Sequence, residues 1–167
     1  MWFTGKQIEC VIQPVGRIET GPLAGKMATI DSATIAAWYE PGPEPGEPGN
    51  SLINGHVRWK GVAGVFQILH TIDTGEEVVI GFVDGTYRHF YVVSRDIYQR
   101  DKYPPDIMGD HGDTRVTLIT CHGEFDRTAN TSVNRCFVVL KLKDDIIAEA
   151  AAGDLGMQEL VDKMGWD

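Results

Sequence analysis

Cysteine is scarce in this chain. There are three in 167 residues, Cys10, Cys121 and Cys136, an odd number with no CxxC pair. That excludes a dense disulfide framework and a thiolate zinc site, and it leaves at least one thiol over even if two pair. Positive charge is also short. Fifteen Lys and Arg against 24 Asp and Glu give a formal net charge of -9, which argues against a surface built for phosphate backbones, so nucleic acid is not expected as a partner. Long apolar runs are missing: no stretch approaches the roughly 20 residues needed to cross a bilayer. Residues 1–12 have neither the basic start nor the apolar centre of a signal peptide, so the chain as it stands reads as soluble. No internal repeat is found. Aromatics make up only 9%, whereas glycine (19) and proline (8) are plentiful, the balance of a β-rich fold with many tight turns.

One stretch is compositionally biased. Residues 41–49, PGPEPGEPG, are Pro or Gly at seven of nine positions, which rules out helix and central strand and predicts an exposed loop. As a linker it would leave about 40 residues before it, marginal for an independent core, so it is read as a loop within one domain. Short apolar runs between turn signals predict strands over 51–57, 64–69, 77–83, 86–93, 115–121 and 134–142, with one or two more from 8–15 and 24–30. Asp84-Gly85 reads as a hairpin turn between two of them. The fold class expected is all-β, a closed barrel or sandwich over residues 1–143. Beyond Lys143, Met157, Leu160, Val161 and Met164 fall at the spacing of a buried helical stripe. Residues 144–167, with seven acidic residues and one lysine, are therefore read as an acidic helical extension whose charge is a solvated face.

Three residues with chemical potential lie at strand ends. Cys121 closes Arg115-Val-Thr-Leu-Ile-Thr-Cys121, His56 closes the segment through Asn54-Gly55, and Arg135 opens Asn134-Arg135-Cys136-Phe137. If those ends share a rim, they supply a sulfur nucleophile, a proton carrier and a permanent cation for oxyanion charge, the requirements of acyl transfer. Thr120 would flank that pocket. Arginine suits the third role because it stays protonated and offers several donors in a fixed plane. Spacing alone leaves three unrelated structural residues as an equal alternative.

The surrounding motifs resemble one family. Thr117-Leu118-Ile119-Thr120-Cys121 is similar to the TLxTC signature of sortases, Asn134-Arg135 to the Asn/Asp-Arg pair that opens their next strand, and Asn54-Gly55-His56 to the strand carrying their histidine. Trp38-Tyr39, Pro45-Gly46-Glu47-Pro48-Gly49-Asn50, Gly55-His56 and Gly64-Val65-Phe66 resemble the pattern of class E and F enzymes, and residues 120–126 resemble class F most closely. The resemblance covers roughly residues 8–143. It implies a sortase β-barrel of about eight strands with short helices, to which the helical reading adds a C-terminal helix. It also implies cysteine transpeptidation of an LPxTG-like sorting signal, with Cys121 as nucleophile, Arg135 at the oxyanion and His56 as acid and base. The partners implied are a surface-protein or pilin sorting-signal peptide and an amine acceptor such as a peptidoglycan stem peptide. Because a thioester keeps enough acyl reactivity to pass to an amine, no cofactor is expected. Residues 101–112 resemble the loop that walls the substrate groove, where Ile107 and Met108 would contact the Leu-Pro part of the signal; an ordinary barrel connection is the equal alternative. Thr120 and Asn134 complete the substrate-binding expectation.

His122 follows Cys121 directly, but adjacent side chains on a strand point to opposite faces, so His56 is preferred as the base. His70, His89 and His111 are read as surface or turn residues, and no metal site is expected. Cys10 and Cys136 are read as structural thiols, and a disulfide between Cys121 and Cys136, which would silence the nucleophile, is left open. The family places its barrel on the outer face of the cell membrane through an N-terminal signal anchor. None is visible here, so either the chain is trimmed, the reading preferred, or it is a soluble relative. The helical tail also lies outside the family pattern. A barrel that binds a peptide or cell-wall fragment without turning it over is the competing function.

Overall fold

The β-branched and aromatic runs pair where their alternation lets one face become core. A computed structural model describes residues 1–166. Its strands are β1 (Trp2–Phe3), β2 (Ile8–Glu9), β3 (Val11–Val15), β4 (Ile35–Tyr39), β5 (Gly49–Asn54), β6 (Arg58–Trp59), β7 (Val62–Ala63), β8 (Glu77–Gly81), β9 (Tyr87–Gln99), β10 (Thr114–Asp126) and β11 (Thr131–Leu142). Single-turn or slightly longer 3-10 helices occupy Thr4–Lys6, Val65–His70 and Pro105–Met108, and two α-helices follow, α1 (Lys143–Ala151) and α2 (Leu155–Met164).

Nine strands form one sheet in the order β2-β1-β8-β9-β11-β10-β5-β4-β3. The two edge strands, β2 and β3, are separated in sequence only by Cys10, so the chain itself spans the seam of a nearly closed barrel. Cys10 is pinned there by its N–H to the Met1 carbonyl and by its own carbonyl accepting from the Met1 amine, each at 2.9 Å. The ladder is antiparallel except for β3 beside β4 and β5 beside β10. Inside the barrel, Phe3, Ile53, Phe66, Leu69, Phe90, Leu118, Val138 and Leu140 are buried, each large apolar side chain contributing about 1.5–3 kcal/mol.

The all-β barrel with short helices is as the sequence predicts, though its sheet has nine strands rather than about eight. Residues 64–69 are a correction: the expected strand is the 3-10 helix Val65–His70. Phe66 and Leu69, three apart, eclipse on one face of a helix with three residues per turn, and both are fully buried. Residues 24–30 form no strand either, only an isolated bridge of Met27 to Arg17, because Gly21 and Gly25 turn the chain through positive φ. Strands β1, β4, β6 and β7 lie outside the predicted set. The 41–49 stretch is a loop docked on the barrel, with Trp38 Nε1 donating to the Pro43 carbonyl and Arg88 Nη1 to that of Pro45. Asp84-Gly85 does sit in the β8–β9 turn, where Gly85 adopts φ +84°.

The C-terminal segment contains two helices where the apolar stripe predicts one. Leu160 and Val161 of α2 are buried with Ile146 and Ala150 of α1, and the cluster packs on Tyr91 and Val93 of β9. A charged network ties α1 to the barrel: Lys141, 7% exposed, pairs with Asp113 at 2.8 Å and with both oxygens of Glu149 at 2.5 and 2.7 Å. Arg115 grips Asp113 through Nε and Nη2. Burial pushes the Asp113 carboxyl up, but the bonds from Arg115 and Lys141 outweigh it and hold the group at about 2, against an ordinary 3.8. A depressed folded value means stability that is present above about pH 4 and lost as pH falls toward 2. Asp145, raised by burial and by Glu149, has the opposite slope. Thermal unfolding between pH 5 and 2 should therefore show a steeper acid loss in the wild type than in Asp113→Asn; parallel curves would remove this assignment.

Candidate active site

Register brings the predicted residues to one end of the barrel. Cys121 on β10 is the direct cross-strand partner of Arg135 on β11, so both side chains leave the sheet on the same face. On the other side of β10, β5 runs parallel, and its last paired rung joins Asn54 to Ile119. Gly55 continues the alignment by donating to the Ile119 carbonyl at 3.2 Å and accepting from Thr120 Oγ1 at 2.7 Å. His56 is thereby set beside the Cys121 end of β10.

His56 lies beyond the end of β5, and tertiary contacts hold it there. Its carbonyl accepts from the Phe66 N–H at 3.2 Å, and the carbonyl of Val57 accepts from Gly64 at 2.7 Å. The ring stacks on Trp59 of the β6–β7 hairpin, centroids 4.7 Å apart and planes 27° inclined. Nε2 is buried and has no hydrogen-bond partner among the described residues. The imidazole is thus oriented by stacking and left with an uncommitted nitrogen.

Arg135 is held by its own hairpin. Nη1 donates to the carbonyls of Ser132 and Asn134, both at 2.9 Å, and Nη2 donates to Thr131 Oγ1 at 2.9 Å. Two of the five guanidinium N–H groups, one on Nη2 and the one on Nε, remain for another acceptor. Thr131 Oγ1 in turn lies 3.8 Å from Cys121 Sγ. The β10–β11 register shifts between His122 and Phe125, with Gly123 at φ +80°, and this irregularity bends the hairpin tip back toward the sulfur.

The remaining expected residues are distributed differently. Thr120 is 3% exposed, on the face opposite Cys121, and its hydroxyl donates to the Gly55 carbonyl, so it steadies the His56 strand. Asn134 pairs with His122 on the face opposite Arg135, its amide beside Gly123. Ile107 and Met108 are half-buried in the 3-10 helix Pro105–Met108. That helix is fixed over the sheet by Asn50, which donates from Nδ2 to the carbonyls of Ile107 and Gly109 at 3.2 and 3.1 Å and accepts from Thr117 Oγ1 at 2.7 Å. Tyr103 of the same loop packs on Phe137, ring centroids 5.1 Å apart.

The inner face beneath Cys121 differs from expectation. His70, read as a surface or turn residue, donates from Nε2 to the Cys121 carbonyl at 2.9 Å and stands edge-on to His122 at 4.6 Å. A carbonyl can only accept, so Nε2 of His70 carries the proton. Burial, then His70 and Arg95, hold His122 below its ordinary value, and its ring is on the opposite face from the Cys121 sulfur. His89 instead pairs with Glu77 at 2.8 Å, and His111 bonds the Asp106 carbonyl at 2.6 Å. Cys136, paired with Thr120, faces the core and reaches the Leu69 carbonyl at 3.6 Å. The sheet therefore separates it from Cys121, and all three cysteines are free. Burial raises the thiols of Cys10 and Cys136 to about 11, which keeps them unreactive. Among the described residues, no cluster of three or more His, Cys, Asp or Glu is placed to hold a metal.

No curated protein matches the chain in sequence. Solved structures do match in fold. Sortase A of Listeria monocytogenes superposes with a TM-score of 0.59 at 14% identity, covering 85% of this chain and 83% of that one. A lid mutant of sortase C1 from Streptococcus agalactiae gives 0.61 at 15%, covering 84% and 66%. The sortase D5 transpeptidase of Clostridium perfringens gives 0.50 at 22%, covering 65% of this chain and 62% of that one, so the chain spans about three fifths of that structure. The sortase domain profile matches residues 11–143, four fifths of the sequence and every strand from β3 to β11. The chain belongs to the sortase family, whose members are cysteine transpeptidases associated with the cell surface.

Proposed function

We propose that this protein cleaves the Thr-Gly bond of an LPxTG-like sorting signal and transfers the acyl part to an amine, anchoring surface proteins to the cell wall. The observation that carries this reading is the pairing of Cys121 with Arg135 across one rung, with His56 held beside the same strand end. Cys121 Sγ, as thiolate, attacks the threonine carbonyl; the S–C bond forms as the carbonyl electrons move to oxygen, where the two uncommitted donors of Arg135 meet the charge. Collapse of that intermediate breaks the C–N bond, and His56 delivers a proton to the departing glycine amine. An entering amine, such as one on a peptidoglycan stem peptide or a pilin lysine, gives its proton back to His56 as it displaces the sulfur. Bond count and charge close over the two half-reactions, so no nucleotide or metal is required. Ile107 and Met108 would meet the Leu-Pro part of the signal from the loop that Asn50 fixes.

The work of the barrel belongs on the outer face of the membrane in this reading, although among the described residues no helix is long and apolar enough to cross one. Intact-mass spectrometry after mixing the protein with an LPxTG peptide tests the reaction. A thioacyl adduct on Cys121, discharged to a ligated product by oligoglycine, is expected. Peptide binding without an adduct would make the protein a non-catalytic barrel, and acid product insensitive to added amine would make it a cysteine peptidase.

A further inference from the structure

Among the described residues, Thr131 is the side chain whose hydroxyl is within hydrogen-bonding reach of both the sulfur of Cys121 and the guanidinium of Arg135. It accepts from Arg135 Nη2 at 2.9 Å, which orients its single O–H away from the guanidinium, and its oxygen stands 3.8 Å from Sγ. With the Arg135 bond made to its oxygen, the hydroxyl hydrogen is free to point at the sulfur, and a thiolate there can only accept it. We propose that Thr131 is a fourth catalytic residue, whose hydroxyl relays the Arg135 charge to the Cys121 thiolate by a hydrogen bond. The proposal rests on the cysteine transpeptidase reading and deepens it. Thr131 keeps its proton throughout: the O–H···S contact is strongest while sulfur carries the negative charge and weakens as the S–C bond forms and the charge moves to the carbonyl oxygen.

The alternative is that Thr131 merely steadies Arg135, and geometry separates the two. Arg135 retains both Nη1 bonds, to Ser132 and Asn134, when the Thr131 hydroxyl is removed, so the fork keeps its position. A residue acting only through Arg135 would affect oxyanion stabilisation. One acting on the sulfur would also alter reactions that form no oxyanion, such as alkylation by iodoacetamide, whose rate follows thiolate character.

The experiment compares wild type, Thr131→Val and Thr131→Ser by the alkylation rate of Cys121, read by intact mass across pH, and by kcat and KM for an LPxTG peptide with oligoglycine. Valine keeps the shape and lacks the hydroxyl; serine restores the hydroxyl. A loss of roughly tenfold in both alkylation rate near neutral pH and kcat is expected for Thr131→Val, with KM little changed and recovery in Thr131→Ser. Unchanged alkylation in Thr131→Val, whatever happens to kcat, overturns the proposal. So does loss in Thr131→Ser equal to that in Thr131→Val, because the shared hydroxyl would then not be the active group. Alkylation needs no peptide, so it judges Thr131 even if the wild type fails to form the thioacyl adduct, an outcome that would instead sink the transpeptidase reading.

Discussion

Cys121→Ala is expected to form no covalent adduct with a sorting-signal peptide, and Arg135→Ala to lose about 10²–10³-fold in kcat. The first loss is absolute because Cys10 and Cys136 cannot substitute: one is at the barrel seam, the other faces the core, and burial raises both thiols. The second follows from the donor inventory. With three of its N–H groups committed to Ser132, Asn134 and Thr131, Arg135 still has two for a developing oxyanion. Arg135→Lys should recover little of the loss, because a single ammonium cannot hold the hairpin carbonyls and present a second pair of donors at the same time. Single-turnover acylation followed by mass spectrometry measures both variants. Full acylation by Arg135→Ala would remove the guanidinium from the mechanism.

Much of this site is legible from sequence because it lies on regular strands. Cys121 and Arg135 fall on long, β-branched runs, where a period of two and a short hairpin settle which residues oppose each other. The same alternation turns His122 away from the sulfur, whereas Cys136, whose pairing with Cys121 the sequence leaves open, is placed on the core side only by the observed register. What escaped the sequence depends on irregular backbone. Thr131 reaches Cys121 only because the β10–β11 hairpin bends at its register shift, and no spacing rule predicts a bend of that size. His70 comes beneath Cys121 because residues 65–70 coil into a 3-10 helix where an apolar run suggested a strand. Asn50 closes the Pro-Gly motif in the sequence without showing a role, yet its amide fixes the 3-10 helix carrying Ile107 and Met108. Trp59 reads as an isolated aromatic until the β6–β7 hairpin lays it against His56.

Gly64→Ala should be the most damaging single-methyl change in the molecule, and it tests how His56 is placed. Gly64 has an ordinary extended backbone, φ -82° and ψ 153°, so strain in the left-handed region is not the issue. The obstacle is space: a Cβ there would lie 1.9 Å from the His56 carbonyl oxygen and 2.9 Å from the Val57 carbonyl carbon. Both are backbone atoms held by hydrogen bonds from Phe66 and Gly64 itself, and neither can swing aside as a side-chain tip would. Relief requires moving the His56-Val57 segment away from the 3-10 helix, which breaks those bonds and pulls the imidazole from its stack on Trp59. Overpacking of this kind costs about 3 kcal/mol, equivalent to a fall of roughly 6–12 °C in Tm for a domain of this size. Acylation of an amide substrate should fall further than stability alone explains, since the group proposed to protonate the leaving amine would have moved. Gly16, where an added Cβ meets nothing within 4 Å, provides the matched control. Calorimetry with single-turnover acylation separates the cases: a Gly64→Ala protein with the Tm and acylation rate of Gly16→Ala would show that His56 does not depend on this backbone contact.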